Sequence, residues 1–357
     1  MAGSREPHVI DLPRKIVVGK GVLGNAGSYL DSVLEPLGES RRVLVVSGPR
    51  VSAKIYPTLK GSLVEAGFEV DLETVETPSI DVASRVAELA RRRDYSVVVG
   101  LGGGKAIDVA KYAAREAGKA FVSVPTVASH DGITSPFASL RGFEKPTSQP
   151  AKAPILILID TSVIAGAPRR YNIAGFGDVV GKFTAVLDWK LAHRLRGEYY
   201  GSYAASLALM SAKHVAQHVD EIASMTEEGL RVLLEALVSS GVAMCIAGST
   251  RPASGSEHLF AHAVTLLVKQ PPLHGELVGL GTIMMSYLHR LNWKKIRRIL
   301  RRVGAPVTAY DVGLDADIVV EALVNAARIR PERYTILGER GLTPEAARRL
   351  AKTTGVI

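Results

Sequence analysis

The run from Ser96 to Asp108, SVVVGLGGGKAID, constrains the fold more than any other part of the chain. Ser96–Val99 is an unbroken apolar, β-branched stretch and reads as a strand buried on both faces. Glycines follow at once, and a helical pattern over Ala106–Ala117 follows them. A strand feeding a glycine turn and then a helix opens a βαβ unit. In such a unit the turn's backbone N–H groups lie at a helix N-terminus, where the dipole favours an anion. The turn is not a P-loop, because Ala106 follows Lys105 where a Ser or Thr would hold magnesium. It also misses the usual dinucleotide fingerprint, whose third glycine would fall on Lys105. Diphosphate binding is the reading it supports best; a glycine turn kept for tight packing is the alternative.

The same alternation runs through the first half of the chain. Lys15–Val18, Arg42–Val46, Phe68–Val75, Ala120–Val124 and Ile155–Ile159 read as further strands. Helical patterns lie between them over Val51–Ala66 and from an Asp81 N-cap to Arg93. This predicts an α/β, Rossmann-like domain with a mostly parallel sheet over residues 1–165. The stretch Pro125–Pro150 is polar and irregular, a length of loop that is usually functional. Beyond residue 165 the strand signal stops. Helices are expected over Asp178–His193, Tyr199–Asp220, Glu227–Ala247, Glu257–Val268, Glu276–Leu291, Trp293–Val303, Asp315–Ala327 and Pro344–Lys352. The chain therefore reads as two domains, with an all-helical one over 166–357 and the active site in the cleft between them. Its 357 residues are too many for one ordinary core.

Charge and composition exclude some function classes. No apolar run reaches membrane-spanning length, and the N-terminus lacks the apolar core of a signal peptide, so a cytoplasmic location is expected. The single Cys245 excludes an internal disulfide and any cysteine-rich zinc module. The net charge of +9 fits either nucleic-acid binding or an anionic small substrate. Its densest run, Lys294 to Arg302, alternates with Ile296, Ile299 and Leu300 and reads as the solvated face of an amphipathic helix. Aromatic residues are not interleaved there as RNA binding would need. No nucleic-acid partner and no membrane span are expected; a homo-oligomer is the base-rate expectation.

A metal site in this chain must be built from histidines and carboxylates. His258 and His262 stand one helical turn apart on one face. His274 follows the Pro271-Pro272 break. Asp178 ends a glycine-rich approach and is expected to open a helix, where its simplest role is an N-cap. With His258 and His274 it also makes a two-histidine, one-carboxylate set, which leaves a position open for substrate as catalytic zinc or iron sites do. Buried histidines bonded only to their neighbours are the alternative. His262 can then reach substrate rather than metal. The strand ending at Val46 continues as Ser47-Gly48-Pro49-Arg50, without the acid that holds an adenosine ribose. Arg50 can pair with a 2′-phosphate, so NADP is expected beside NAD.

The GGGK turn, PTVASHDGITSP, FGDVVGK, SGSEHLFAH and LHGE, in this order, resemble the metal-dependent polyol dehydrogenase superfamily. That group holds glycerol dehydrogenases, iron-dependent alcohol dehydrogenases and dehydroquinate synthases. Within it the chain is most similar to the archaeal sn-glycerol-1-phosphate dehydrogenases, over nearly its whole length. The resemblance implies reduction of dihydroxyacetone phosphate to sn-glycerol 1-phosphate for ether-lipid backbones. It implies a Zn2+ ion, with Fe2+ as the alternative, held by Asp178, His258 and His274. It implies NAD or NADP contacts from Gly102, Gly103, Gly104, Lys105, Ala106 and Asp108, and from Thr126, Val127, Ala128, Ser129 and Ser135. Asp131 and His262 are then the catalytic contacts to substrate, with His262 or water relaying the proton. Lys182 or Lys269 is expected to meet the substrate phosphate. Glycerol dehydrogenase and dehydroquinate synthase are the alternatives within the superfamily.

Overall fold

The computed structural model describes residues 8–34, 40–143 and 148–357. The strands are β1 (Lys15–Gly19), β2 (Arg42–Ser47), β3 (Glu69–Thr74), β4 (Val97–Gly102), β5 (Ala120–Pro125), β6 (Phe137–Ala138), β7 (Gln149–Pro150) and β8 (Leu156–Asp160). Among them run α1 (Ala26–Leu34), α2 (Pro49–Lys54), α3 (Tyr56–Glu65), α4 (Ile80–Arg92) and α5 (Gly104–Ala117). After β8 come α6 (Thr161–Ala165), α7 (Arg169–Val180), α8 (Lys182–Arg196), α9 (Ser202–Gln217), α10 (Val219–Ala223) and α11 (Glu227–Ala247). The chain closes with α12 (Ser256–Leu267), α13 (His274–Leu288), α14 (Trp293–Val303), α15 (Ala316–Ile329) and α16 (Pro344–Thr353).

Six strands form one parallel sheet in the order β1-β8-β5-β4-β2-β3. This is the expected α/β half, followed by helices alone. The chain steps from β2 out to β3 and then returns to β2's other side as β4. That reversal opens a crevice at the carboxyl ends of β2 and β4, where such sheets take ligands. The glycine turn after β4 lies at this edge.

Alternation within strands divides the core. Val43 and Val45 of β2 pack with α1 and α3 on one face, while Leu44 and Val46 pack with α4 and α5 on the other. The second cluster continues without interruption into Ile173, Phe176, Leu233 and Leu280 of the helical half. Among the described residues α11 alone is long and apolar enough to cross a membrane, which corrects the expectation that no segment is. Most of it is buried inside the molecule, so core packing accounts for its composition.

Other differences from expectation are local. Ser79, not Asp81, caps α4, its side chain accepting from the Val82 N–H at 3.3 Å. The helix expected over Val51–Ala66 is two, parted at Ile55 ahead of Pro57, whose ring suits a first turn. The charged face of α14 forms as expected, with Ile296, Leu300 and Val303 buried.

Candidate functional site

Asp178, His258 and His274 come from three helices and meet. Asp178 lies in the last turn of α7 rather than at a helix start, because α7 runs through Ala174-Gly175-Phe176-Gly177 and breaks only at Gly181. His258 is in the first turn of α12, and His274 is the first residue of α13. Helices α7 and α13 cross at glycines. A Cβ on Gly275 would stand 1.8 Å from the Ala174 carbonyl oxygen, and one on Gly177 2.3 Å from that of Gly275. Only bare backbone permits this approach, and it brings Asp178 to His274.

Asp178 Oδ1 is 3.4 Å from His258 Nε2 and 3.9 Å from His274 Nε2. One ligand atom from each of the three residues lies within 4.8 Å of the others. Oδ2 is committed: it accepts from the Asp131 N–H at 3.0 Å and from Lys182 Nζ at 3.2 Å. Oδ1 is buried with no hydrogen-bond donor among the described residues. His258 Nδ1 faces Glu257 Oε1 at 2.8 Å, which holds a ring proton there and turns Nε2 toward Asp178. Glu257 is itself held by the Gly255 N–H and the Thr184 hydroxyl, both at 2.6 Å. A carboxylate behind a histidine is how metal ligands are oriented. An unshared carboxylate oxygen and two imidazole nitrogens converging on one point fit a divalent cation.

Burial raises the Asp178 carboxyl, but the Lys182 ammonium and the His258 and His274 rings outweigh it and hold it well below the usual range. Burial, then His258, pushes His274 well below its ordinary value, so the ring is neutral. Burial works against a charged His258, and the carboxylates of Asp178 and Glu257 override it and raise that ring. His262 lies with its ring 6.5 Å from that of His258 and 5.7 Å from that of His274. Burial, followed by His258, Arg333 and Arg330, pushes it down to about 3. It is a neutral imidazole at any working pH.

The glycine turn and this cluster adjoin through the Thr126–Ser135 loop. Gly102 has φ 149° and bonds through its carbonyl to the Thr126 N–H. Val127 packs on Gly103. His130 occupies the space a side chain at Gly104 would need: a Cβ there would stand 2.1 Å from its Nε2. Its Nδ1 accepts from the Gly132 N–H at 2.8 Å, which leaves Nε2 as the donor at the start of α5. The same ring acts electrostatically on His274. His130 thus lies against the turn at the start of α5, a placement its sequence context alone does not reveal. Ala128 donates to Asn172 Oδ1 at 3.0 Å and ties the loop to α7. Ser129 is half-buried in the same loop, and Lys105 is exposed in the first turn of α5, beside a buried Ala106.

Several expected ligand contacts have structural partners. Asp108 bonds to the Ser139 N–H at 3.1 Å and pairs with Lys111 at 3.2 Å. Lys111 is fully buried and donates to the carbonyls of Gly132, Ser135 and Phe137. The Ser135 hydroxyl turns to the Phe137 carbonyl at 3.2 Å. Together they shape the loop from behind. Asp131 Oδ2 accepts from Ser240 and from Lys182 Nζ, each at 2.8 Å. Lys182 is wholly buried between Asp131 and Asp178, so the structure removes it as a cation for a substrate phosphate. Lys269 is exposed just beyond α12, and Arg50 is exposed in the first turn of α2.

Comparison with known proteins follows the same lines. The chain is 65% identical to the glycerol-1-phosphate dehydrogenase (NAD(P)+) of Aeropyrum pernix, over 98% of this chain and 99% of that one. It is 53% identical to the enzyme of the same description from Sulfurisphaera tokodaii, over 98% of each. The chain belongs to the glycerol-1-phosphate dehydrogenase family. The family description for iron-containing alcohol dehydrogenases matches residues 17–168. Among solved structures, glycerol dehydrogenase from Schizosaccharomyces pombe superposes with a TM-score of 0.80 at 21% identity, covering 98% of this chain and 90% of that one. A probable glycerol dehydrogenase from Sinorhizobium meliloti gives 0.78 at 22% identity, over 98% of each. At that identity the structures share the fold.

Proposed function

We propose that this chain is an NAD(P)-dependent, metal-dependent sn-glycerol-1-phosphate dehydrogenase, reducing dihydroxyacetone phosphate to sn-glycerol 1-phosphate for archaeal ether lipids. The observation that carries the reading is the unshared Asp178 oxygen between two imidazoles, joined to the glycine turn by one loop, whose Thr126 N–H meets the Gly102 carbonyl and whose Asp131 N–H meets Asp178. The 65% identity to a named glycerol-1-phosphate dehydrogenase selects this reaction among those of the superfamily.

Asp178, His258 and His274 hold a zinc ion, with ferrous iron the alternative for the same donors. When bound, that cation supplies Lewis-acid polarisation of the ketone, and the dinucleotide supplies the hydride. The chain's own groups bind and orient. Gly102–Gly104 present the N-terminus of α5 to the diphosphate, with Lys105 beside them. Thr126–Ser129 would contact the dinucleotide as well, and Arg50 would meet a 2′-phosphate when NADP is used. Asp131, fixed by Lys182 and Ser240, orients a substrate hydroxyl. His262, held neutral, hydrogen-bonds substrate and passes protons through its ring rather than as a standing imidazolium. Residues 1–165 bind the dinucleotide, residues 166–357 bind metal and substrate, and the protein works as a cytoplasmic homo-oligomer.

The test is NADH oxidation against dihydroxyacetone phosphate, with elemental analysis of the protein and chiral analysis of the product. The expected result is one zinc or iron per chain and sn-glycerol 1-phosphate as product. Turnover of free glycerol without its 1-phosphate would move the chain to the glycerol dehydrogenases.

A further inference from the structure

Lys182 is sealed away, so the cation that a phosphorylated substrate requires must come from elsewhere. Arg333 is 8% exposed. Its guanidinium donates to the Ser254 carbonyl at 2.5 Å and to the Thr250 hydroxyl at 2.6 Å, both neutral. Glu198 and Glu332, the acids that act on it, are each paired with another arginine, Arg251 at 2.6 Å and Arg330 at 2.8 Å. Arg330 and Arg251 act on Arg333 as like charges. A buried cation among cations, with its counter-charges engaged by others, is costly unless an anion completes the site. Guanidinium groups are suited to a phosphate, which they grip through paired N–H donors.

The position fits a ligand that starts at the metal cluster. Helix α15 packs along α12 and ends at Ile329, with Arg330 as its C-cap. Arg333 grips the Ser254 carbonyl in the turn that leads into α12, four residues ahead of His258. Asp188 fixes the spacing. Its Oδ2 accepts from the Ser256 N–H that begins α12, and its Oδ1 from the Ile336 N–H, each at 2.7 Å. The segment carrying Arg333 is thereby bolted to the helix carrying His258.

We propose that Arg333, with Arg330 beside it, is the subsite that receives the phosphate of the substrate, and that Asp188 sets its distance from the metal ligands. This rests on the functional reading above. The measurement is the ratio of kcat/KM for dihydroxyacetone phosphate to kcat/KM for dihydroxyacetone, in zinc-loaded wild type, Arg330→Gln and Arg333→Gln. The substitutions lower that ratio roughly a hundredfold, mainly through KM for the phosphorylated substrate. Competitive inhibition by inorganic phosphate weakens in parallel, and Arg333→Lys restores part of both. Arg333 also braces the turn before α12, so zinc content and a thermal melt accompany each variant. Should Arg333→Gln not fold, the more exposed Arg330→Gln decides. A ratio unchanged in folded variants overturns the subsite. A purely bracing role, with both substrates falling together, overturns it too. A wild type inert toward dihydroxyacetone phosphate overturns instead the reaction it rests on.

Discussion

At the scale of single residues, the site depends on groups that stand one step behind those facing the ligand. Glu257 holds Nδ1 of His258 and so turns Nε2 toward Asp178 Oδ1. Glu257→Gln keeps the shape and removes the charge. It is expected to weaken zinc affinity by about 10–100-fold, read by chelator competition. His258→Ala marks the limit at which no zinc is retained. An affinity equal to wild type in Glu257→Gln would show that the carboxylate does not orient the ring. The His258–His262 spacing is legible in the sequence because helical period alone places both rings on one face. Glu257 is not: an acid in a first helical turn is already explained by the dipole. Lys182 misleads for a related reason. Its spacing from Asp178 is right for a shared face, and nothing in spacing tells a cation turned into the cluster from one turned toward a ligand.

At the scale of elements, the decisive contact is the crossing of α7 and α13. Asn172, Gly175 and Gly177 look like a loop leading to a helix that opens at Asp178. They are helix instead, because tertiary contact outweighs their poor intrinsic propensity. Gly175 lies against the Ala128 carbonyl and Gly177 against that of Gly275, so these glycines serve closeness rather than bending. A methyl group at Gly275 has backbone in its way, which cannot move aside as a flexible side chain can. Gly275→Ala is expected to destabilise the fold by about 1–3 kcal/mol by overpacking. It should also lower zinc occupancy, because α13 carries His274 at its first position. The control is Gly279→Ala on the same helix, where a Cβ meets Leu300 at an ordinary 3.5 Å. There helix propensity alone would gain up to about 1 kcal/mol. Denaturant melts of the two variants, with zinc analysis, separate crossing geometry from helix propensity.

At the scale of the whole molecule, the sheet is legible because strands buried on both faces must be almost continuously apolar, and the middles of β2, β4, β5 and β8 are, Ser123 of β5 excepted. Their order in the sheet is not, since crossovers leave no mark on composition. Nor does composition say that the helical half shares a core with the sheet, as the run from Leu44 and Ile157 to Phe176 and Leu280 does. In that shared core Asp178, His258 and His274 are the points at which α7, α12 and α13 converge, and an unshared oxygen lies at the centre. A cation there is a cross-link between three helices far apart in sequence, and binding to the folded state alone is stability. With zinc at a hundred times its dissociation constant the gain is about 2.7 kcal/mol. Stripping the metal is expected to lower Tm, and returning zinc to restore it. Asp178→Asn takes away the charged oxygen with little change of shape, and its Tm should no longer respond to zinc. A stripped wild type that melts where the loaded protein does would place the cation outside the three-helix junction.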